Sequence, residues 1–127
     1  MRQIRNNILV ILICLLGGFS QQSKDGYMIE NGKVHFIYPS LKSTSAVYLS
    51  GNFNGWAKND SNWKMDFNKS TNSYILVKDI SEIKKPDQSF YEFTFSVDDK
   101  LIDANPEGTN VINCAGYGFR YIIDFAN

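Results

Sequence analysis

The sequence predicts an all-β domain, a β-sandwich of about seven short strands. One stretch, "QSFYEFTFSVD", places Tyr91, Phe93, Phe95 and Val97 on one face and Glu92, Thr94 and Ser96 on the other. That is the period-2 alternation of a half-buried strand. Clusters of Gly, Pro, Asn and Asp recur between such runs, at Asn54-Gly55, Asn68–Asn72, Pro86-Asp87, Asn105–Gly108 and Gly116 with Gly118. Beyond residue 20 no helical period runs longer than about one turn, apart from a short stretch at Ser81–Lys85.

The N-terminus stands apart. "MRQIRNNILVILICLLGGFSQQ" carries two arginines and no acid, then an apolar run from Ile8 to Leu16, then the small residues Gly17, Gly18 and Ser20. This is the layout of a cleavable signal peptide, expected over 1–20 with cleavage near Ser20–Gln21. The run is shorter than the roughly 20 apolar residues that span a bilayer. Residues 21–30 start polar and are expected to form a disordered leader, with the folded domain over 31–127. Strands are expected at Lys33–Tyr38, Ser45–Gly51, Asn62–Phe67, Ser73–Ile80, Gln88–Asp98 and Phe119–Phe125, with a short return at Lys100–Ile102. The first stops at Pro39. The third alternates, with Trp63, Met65 and Phe67 sharing the core side.

Cleavage changes two counts. Cys14 would leave with the signal, so Cys114 would be the one cysteine of the exported chain, with no intrachain disulfide. Core packing alone would then hold about 105 residues, enough for a modestly stable domain. Cys114 reads as a small buried hydrophobe, since no His, Lys or Arg adjoins it to lower its pKa. The full chain has 13 basic and 13 acidic residues; without Arg2 and Arg5, 11 face 13, a net charge of −2. The exported part has no basic run longer than Lys84-Lys85. That excludes nucleic acid and an anionic membrane surface as expected partners.

No catalytic constellation is apparent. His35, the one histidine, lies inside a strand between Val34 and Phe36 and reads as structural. No G-x-S-x-G elbow and no Cys/His metal spacing occur. Asp98, Asp99, Asp103 and Glu107 form an acidic cluster, but "DDKLIDANPEG" does not follow an EF-hand loop and reads as turn-forming acids. The expectation is a protein without catalysis, metal or cofactor. Recognition remains. Trp56 sits in a turn flanked by Asn52, Asn54, Lys58 and Asn59. An aromatic face can stack on the apolar face of a sugar ring while amides and charged groups read its hydroxyls.

"VYLSGNFNGWA" resembles the hallmark of the glycogen-binding carbohydrate-binding modules, in which a strand is followed by G-x-F-N-x-W. Such modules occur in the beta subunit of AMP-activated protein kinase and at the front of isoamylases and branching enzymes. Here Gly51, Phe53, Asn54 and Trp56 supply the pattern. The second hallmark is Y-x-F, then V-D-G-x-W and D-P. "YEFTFSVDDKLIDANPEG" supplies Tyr91, Phe93, Val97, Asp98 and Asp103, with Pro106 slightly displaced. The resemblance covers Lys33 to Phe125.

It implies an immunoglobulin-like (early-set) β-sandwich that binds α-glucan (glycogen, starch or maltodextrin) without catalysis. Trp56 matches the first stacking tryptophan, and Leu101 stands where the second is expected. Glu92 replaces the basic residue of the Y-K-F triplet, and Asp99 replaces the glycine of V-D-G. For the family's late asparagine, Asn110, Asn113 and Arg120 are candidates. Tyr117 either replaces the missing ring or packs under the last strand. The expected carbohydrate site is Trp56, Asn54, Lys58, Leu101, Asn110 and Tyr117. The alternative is an immunoglobulin-like interaction or structural domain that has lost the sugar. Its partner would be a secreted glycosidase or a surface protein, docked on the face of Glu92, Thr94 and Leu101.

Overall fold

The computed structural model describes residues 22–126. The signal segment expected over 1–20 lies outside them. Among the described residues ten strands form two antiparallel sheets. The first has the order β1 (Gln22–Lys24), β2 (Tyr27–Glu30), β3 (Lys33–Pro39), β6 (Ser73–Asp79), β5 (Asp66–Asn68). The second has the order β4 (Val47–Gly51), β7 (Glu92–Val97), β10 (Gly118–Ile122), β9 (Val111–Cys114), with the two-residue β8 (Lys100–Leu101) also paired to β7. One helical turn, α1 (Ile80–Ile83), follows β6, and its Glu82 side chain accepts from the Asp79 N–H.

The sheets meet through aromatic rings supplied by the alternating faces. Phe93 of β7 lies edge-on to Phe36 of β3 at 5.0 Å, and Tyr38 of β3 lies 5.2 Å from Phe95. Val34, Phe36, Val47, Leu49 and Phe93 are fully buried. The alternation read in "YEFTFSV" therefore puts its apolar half into the core. The opposite half, Glu92, Thr94 and Ser96, lies on the outer face of the second sheet.

Several expected elements differ. Residues 22–30 are not a leader: they form β1 and β2. Tyr27 is 1 % exposed, and its hydroxyl accepts the Asp124 N–H at 2.8 Å. Asn31 and Gly32, both with positive φ, close a two-residue turn between Glu30 and Lys33, which sets the register of β2 on β3. The strand expected over Asn62–Phe67 is a 3-10 turn, Ser61–Trp63, followed by β5. The Asp60 carboxylate accepts the Asn62 N–H and starts that turn, and Trp63 and Met65 are still buried. The strand expected from Gln88 begins at Glu92. The Tyr91 hydroxyl donates to the Gln88 carbonyl and accepts from the Lys85 N–H, wrapping residues 85–90 around it as a loop. β9 was not expected from the sequence.

The β7–β8 connection is a two-residue turn, Asp98-Asp99. Asp98 and Asp99 have φ of 50° and 69°, and Val97 pairs with Lys100 across them. Both central residues are thus left-handed, as the tight hairpin turn demands. Asp98 tolerates this because its carboxylate accepts the Ala46 N–H at 2.9 Å, which also holds its pKa below the usual carboxylate range. The side chain of Asp99 has no such bond among the described residues and is exposed. Asp99→Gly is expected to raise the stability of the domain by up to about 1 kcal/mol, read as a higher urea midpoint at unchanged slope.

Candidate functional site

The turn after β4 is built from its asparagines. Trp56 N–H and Asn54 N–H both donate to the Gly51 carbonyl, at 2.9 and 3.1 Å. Asn54 Oδ1 accepts the Gly51 N–H and its Nδ2 donates to the Leu49 carbonyl. Gly55 and Trp56 are consecutive left-handed residues, with φ of 70° and 57°. A bulky residue in that region is strained, a feature that clusters at functional sites. Gly51 has no room for a Cβ, which would meet the Phe53 ring at 2.5 Å and the Glu92 carbonyl at 2.7 Å. Asn52 then ties the turn to β7: its N–H donates to the Glu92 carbonyl, and its Oδ1 accepts the Glu92 N–H, both at 3.1 Å.

This turn forms one wall of a cleft of about 460 Å³, lined by Trp56, Glu92, Leu101, Cys114, Tyr117 and Arg120. Leu101 enters from β8. Tyr117 stands at the tip of the β9–β10 hairpin, 77 % exposed. Glu92, Cys114 and Arg120 come from the outer faces of β7, β9 and β10. The Arg120 guanidinium lies 5.4 Å from the centre of the Trp56 ring and covers it with a cation–π contact. It also donates to the Phe119 carbonyl at 3.0 Å and lies 3.7 Å from Asp103. Gly118 has a φ of +90°, and a Cβ there would strike the Asp103 carboxylate. Cys114 Sγ donates to Glu92 Oε1 at 3.5 Å. Burial, followed by that carboxylate, pushes the Cys114 thiol up, so it is not an activated nucleophile.

Of the six residues expected at a carbohydrate site, Trp56, Leu101 and Tyr117 come together here. Asn54 does not reach the cleft, because its amide is spent on the turn backbone. Asn110 belongs elsewhere: its side chain accepts from Asp25 N and donates to the carbonyls of Asp25 and Ile122, stapling the β1–β2 turn to the end of β10. Lys58 is exposed and outside the cleft lining. Of the candidates for the late asparagine, Arg120 lines the cleft, whereas Asn113 pairs with Phe119 and so faces the opposite side of the sheet.

Cys114 was read as buried and instead reaches the cleft. The face offered for protein docking is partly closed: Thr94 is fully buried, with its hydroxyl on the Ile102 carbonyl. Ser50 and Ser96, also fully buried on this face, have no hydrogen-bond partner for their hydroxyls among the described residues. No group of three or more His, Cys, Asp or Glu side chains among the described residues is placed to hold a metal ion. No family model matches the chain, and no curated protein matches it either.

Proposed function

We propose that the protein is a non-catalytic α-glucan-binding module of the immunoglobulin-like, early-set type, exported after removal of its N-terminal signal. The observation that carries this reading is the cleft in which Trp56 and Tyr117, from two separate loops, stand beside the polar groups of Glu92 and Arg120. Aromatic walls with a few convergent polar groups are what a sugar site needs. Tyr117 takes the part of the second ring where Leu101 replaces a tryptophan. The strained backbone of Trp56 supports a ring held forward for contact.

A second reading is an immunoglobulin-like interaction domain that has lost the sugar, with a secreted glycosidase or a surface protein as partner. Arg120 lying over the Trp56 ring favours it, because that guanidinium occupies a face a sugar would use.

Titration of intrinsic tryptophan fluorescence with maltoheptaose or β-cyclodextrin separates the two. The expected result is a saturable change that Trp56→Ala weakens by about 5- to 150-fold, taking stacking on one ring as on the order of 1–3 kcal/mol. A flat titration to millimolar sugar, with the protein folded, would end the glucan reading.

A further inference from the structure

Arg120 is 8 % exposed, yet few of its donors are used. A guanidinium carries five N–H donors. Among the described residues Arg120 has one short bond, to its neighbour's carbonyl, and one long ion pair to Asp103, whose side chain is 64 % exposed. Among the described residues Glu92, in the same cleft, accepts through its carboxylate only from the Cys114 thiol at 3.5 Å, a weak donor. The two charges do not pair with each other. Glu92 sits opposite Ile122, so Arg120 is its diagonal neighbour across β7 and β10. Such positions lie about 7–8 Å apart, within reach of long side chains, but Arg120 turns over the Trp56 ring and Glu92 toward Cys114. A buried cation with unmet donors is costly unless another group satisfies it, and the half-buried carboxylate beside it can share that group.

We propose that Glu92 and Arg120 form a split charge pair that reads adjacent hydroxyls of a neutral sugar and rejects acidic ones. A hydroxyl both donates and accepts. Neighbouring hydroxyls on a pyranose therefore donate to the Glu92 carboxylate and accept from the Arg120 fork at once. A ligand carboxylate would satisfy Arg120 but confront Glu92, and a ligand ammonium would do the reverse. The rings of Trp56 and Tyr117 fix the sugar plane while the charge pair sets its rotation. This inference rests on the carbohydrate reading of the cleft, though not on the sugar being an α-glucan.

The test titrates the purified protein, followed by tryptophan fluorescence, with maltoheptaose, cellohexaose and oligogalacturonate. Glu92→Gln nearly preserves shape and is expected to weaken neutral-sugar binding about tenfold, the scale of one charged hydrogen bond. It is also expected to admit oligogalacturonate, which the unaltered protein excludes; a merely structural role for Glu92 would not produce that change. Arg120→Lys, checked by thermal unfolding because it packs on Trp56, is expected to lose binding too, since an ammonium lacks the planar fork. If Glu92→Gln binds maltoheptaose as tightly as the unaltered protein while Trp56→Ala does not, the charge pair is overturned and the glucan reading stands. Cellohexaose binding that Glu92→Gln weakens, with maltoheptaose silent, supports the pair and removes the α-glucan. Silence on both neutral oligosaccharides, or binding of oligogalacturonate by the unaltered protein, overturns the proposal.

Discussion

A chain that begins at Asn31 is expected to lose its cooperative unfolding transition, whereas one that begins at Gln22 retains it. The reason is the position of β2. Tyr27 is core, lying edge-on to Phe93 at 6.1 Å, and its hydroxyl holds the Asp124 N–H. Losing a buried aromatic side chain typically costs about 3–5 kcal/mol, and a domain of this size has only about 5–15 kcal/mol in all. The trimmed chain loses more than that ring. Four residue pairs between β2 and β3 disappear, leaving the seven-residue β3 as an exposed edge, a known route to aggregation. Asn110 loses both of its bonds to Asp25, and the Thr109 N–H loses the Asp25 carboxylate. Circular dichroism on heating reads the result directly. A trimmed chain that melts sharply, within a few degrees of the longer one, would show β1 and β2 to be an appendage rather than part of the fold.

That boundary marks where the sequence was legible and where it was not. Strands β3, β4, β6 and β7 could be read because each is a run of five or more residues rich in β-branched and aromatic side chains, bounded by turn residues, and β7 alternates as well. β2 has only four residues, behind a polar segment that reads as a leader. Its signal was present all the same: Asp25-Gly26 and Asn31-Gly32 are hairpin dipeptides, and the second stands directly before the alternation of β3. β9 is a four-residue edge strand, too short for a period to emerge.

The site divides in the same way. The resemblance puts Trp56 beside Leu101, and it leaves Tyr117 either as the missing ring or packed under the last strand. Asn54 reads both as a turn cap and as polar help at the site, and the structure uses it as the cap; Asn110 could not be separated from a binding residue, because an asparagine that caps a turn and one that contacts a ligand have the same composition around them. The relation between Glu92 and Arg120 was hidden for a different reason. It depends on the register of β7 against β10, which lie more than twenty residues apart in sequence, and no pattern within either strand shows how the two align.

Phe93 is the centre of that core, and Phe93→Ala is expected to destabilise the domain by about 3–5 kcal/mol, enough to lower the melting temperature by more than about 10 °C. Phe93 is fully buried, lies edge-on to Tyr27, Phe36 and Phe95, and stacks on Tyr121 at 5.0 Å. It therefore joins β7 and β10 of one sheet to rings of β2 and β3 in the other. Each such aromatic contact adds about 0.5–1.5 kcal/mol beyond the buried area, so Phe93→Leu should also lose stability, although less than Phe93→Ala, because most of the volume remains. The two variants should differ in function as well. Tyr121 pairs with Phe93, and Ile122 with Glu92. Main-chain bonds thus hold the register that places Arg120 beside Glu92, and a leucine leaves them intact. Well below its midpoint, Phe93→Leu should keep the sugar affinity of the unaltered protein while melting at a lower temperature. Equal melting temperatures for Phe93→Ala and the unaltered domain would mean that the two sheets do not share one core. A Phe93→Leu protein that is folded but unable to bind would mean that the cleft depends on the ring itself and not on the strand pairing it supports.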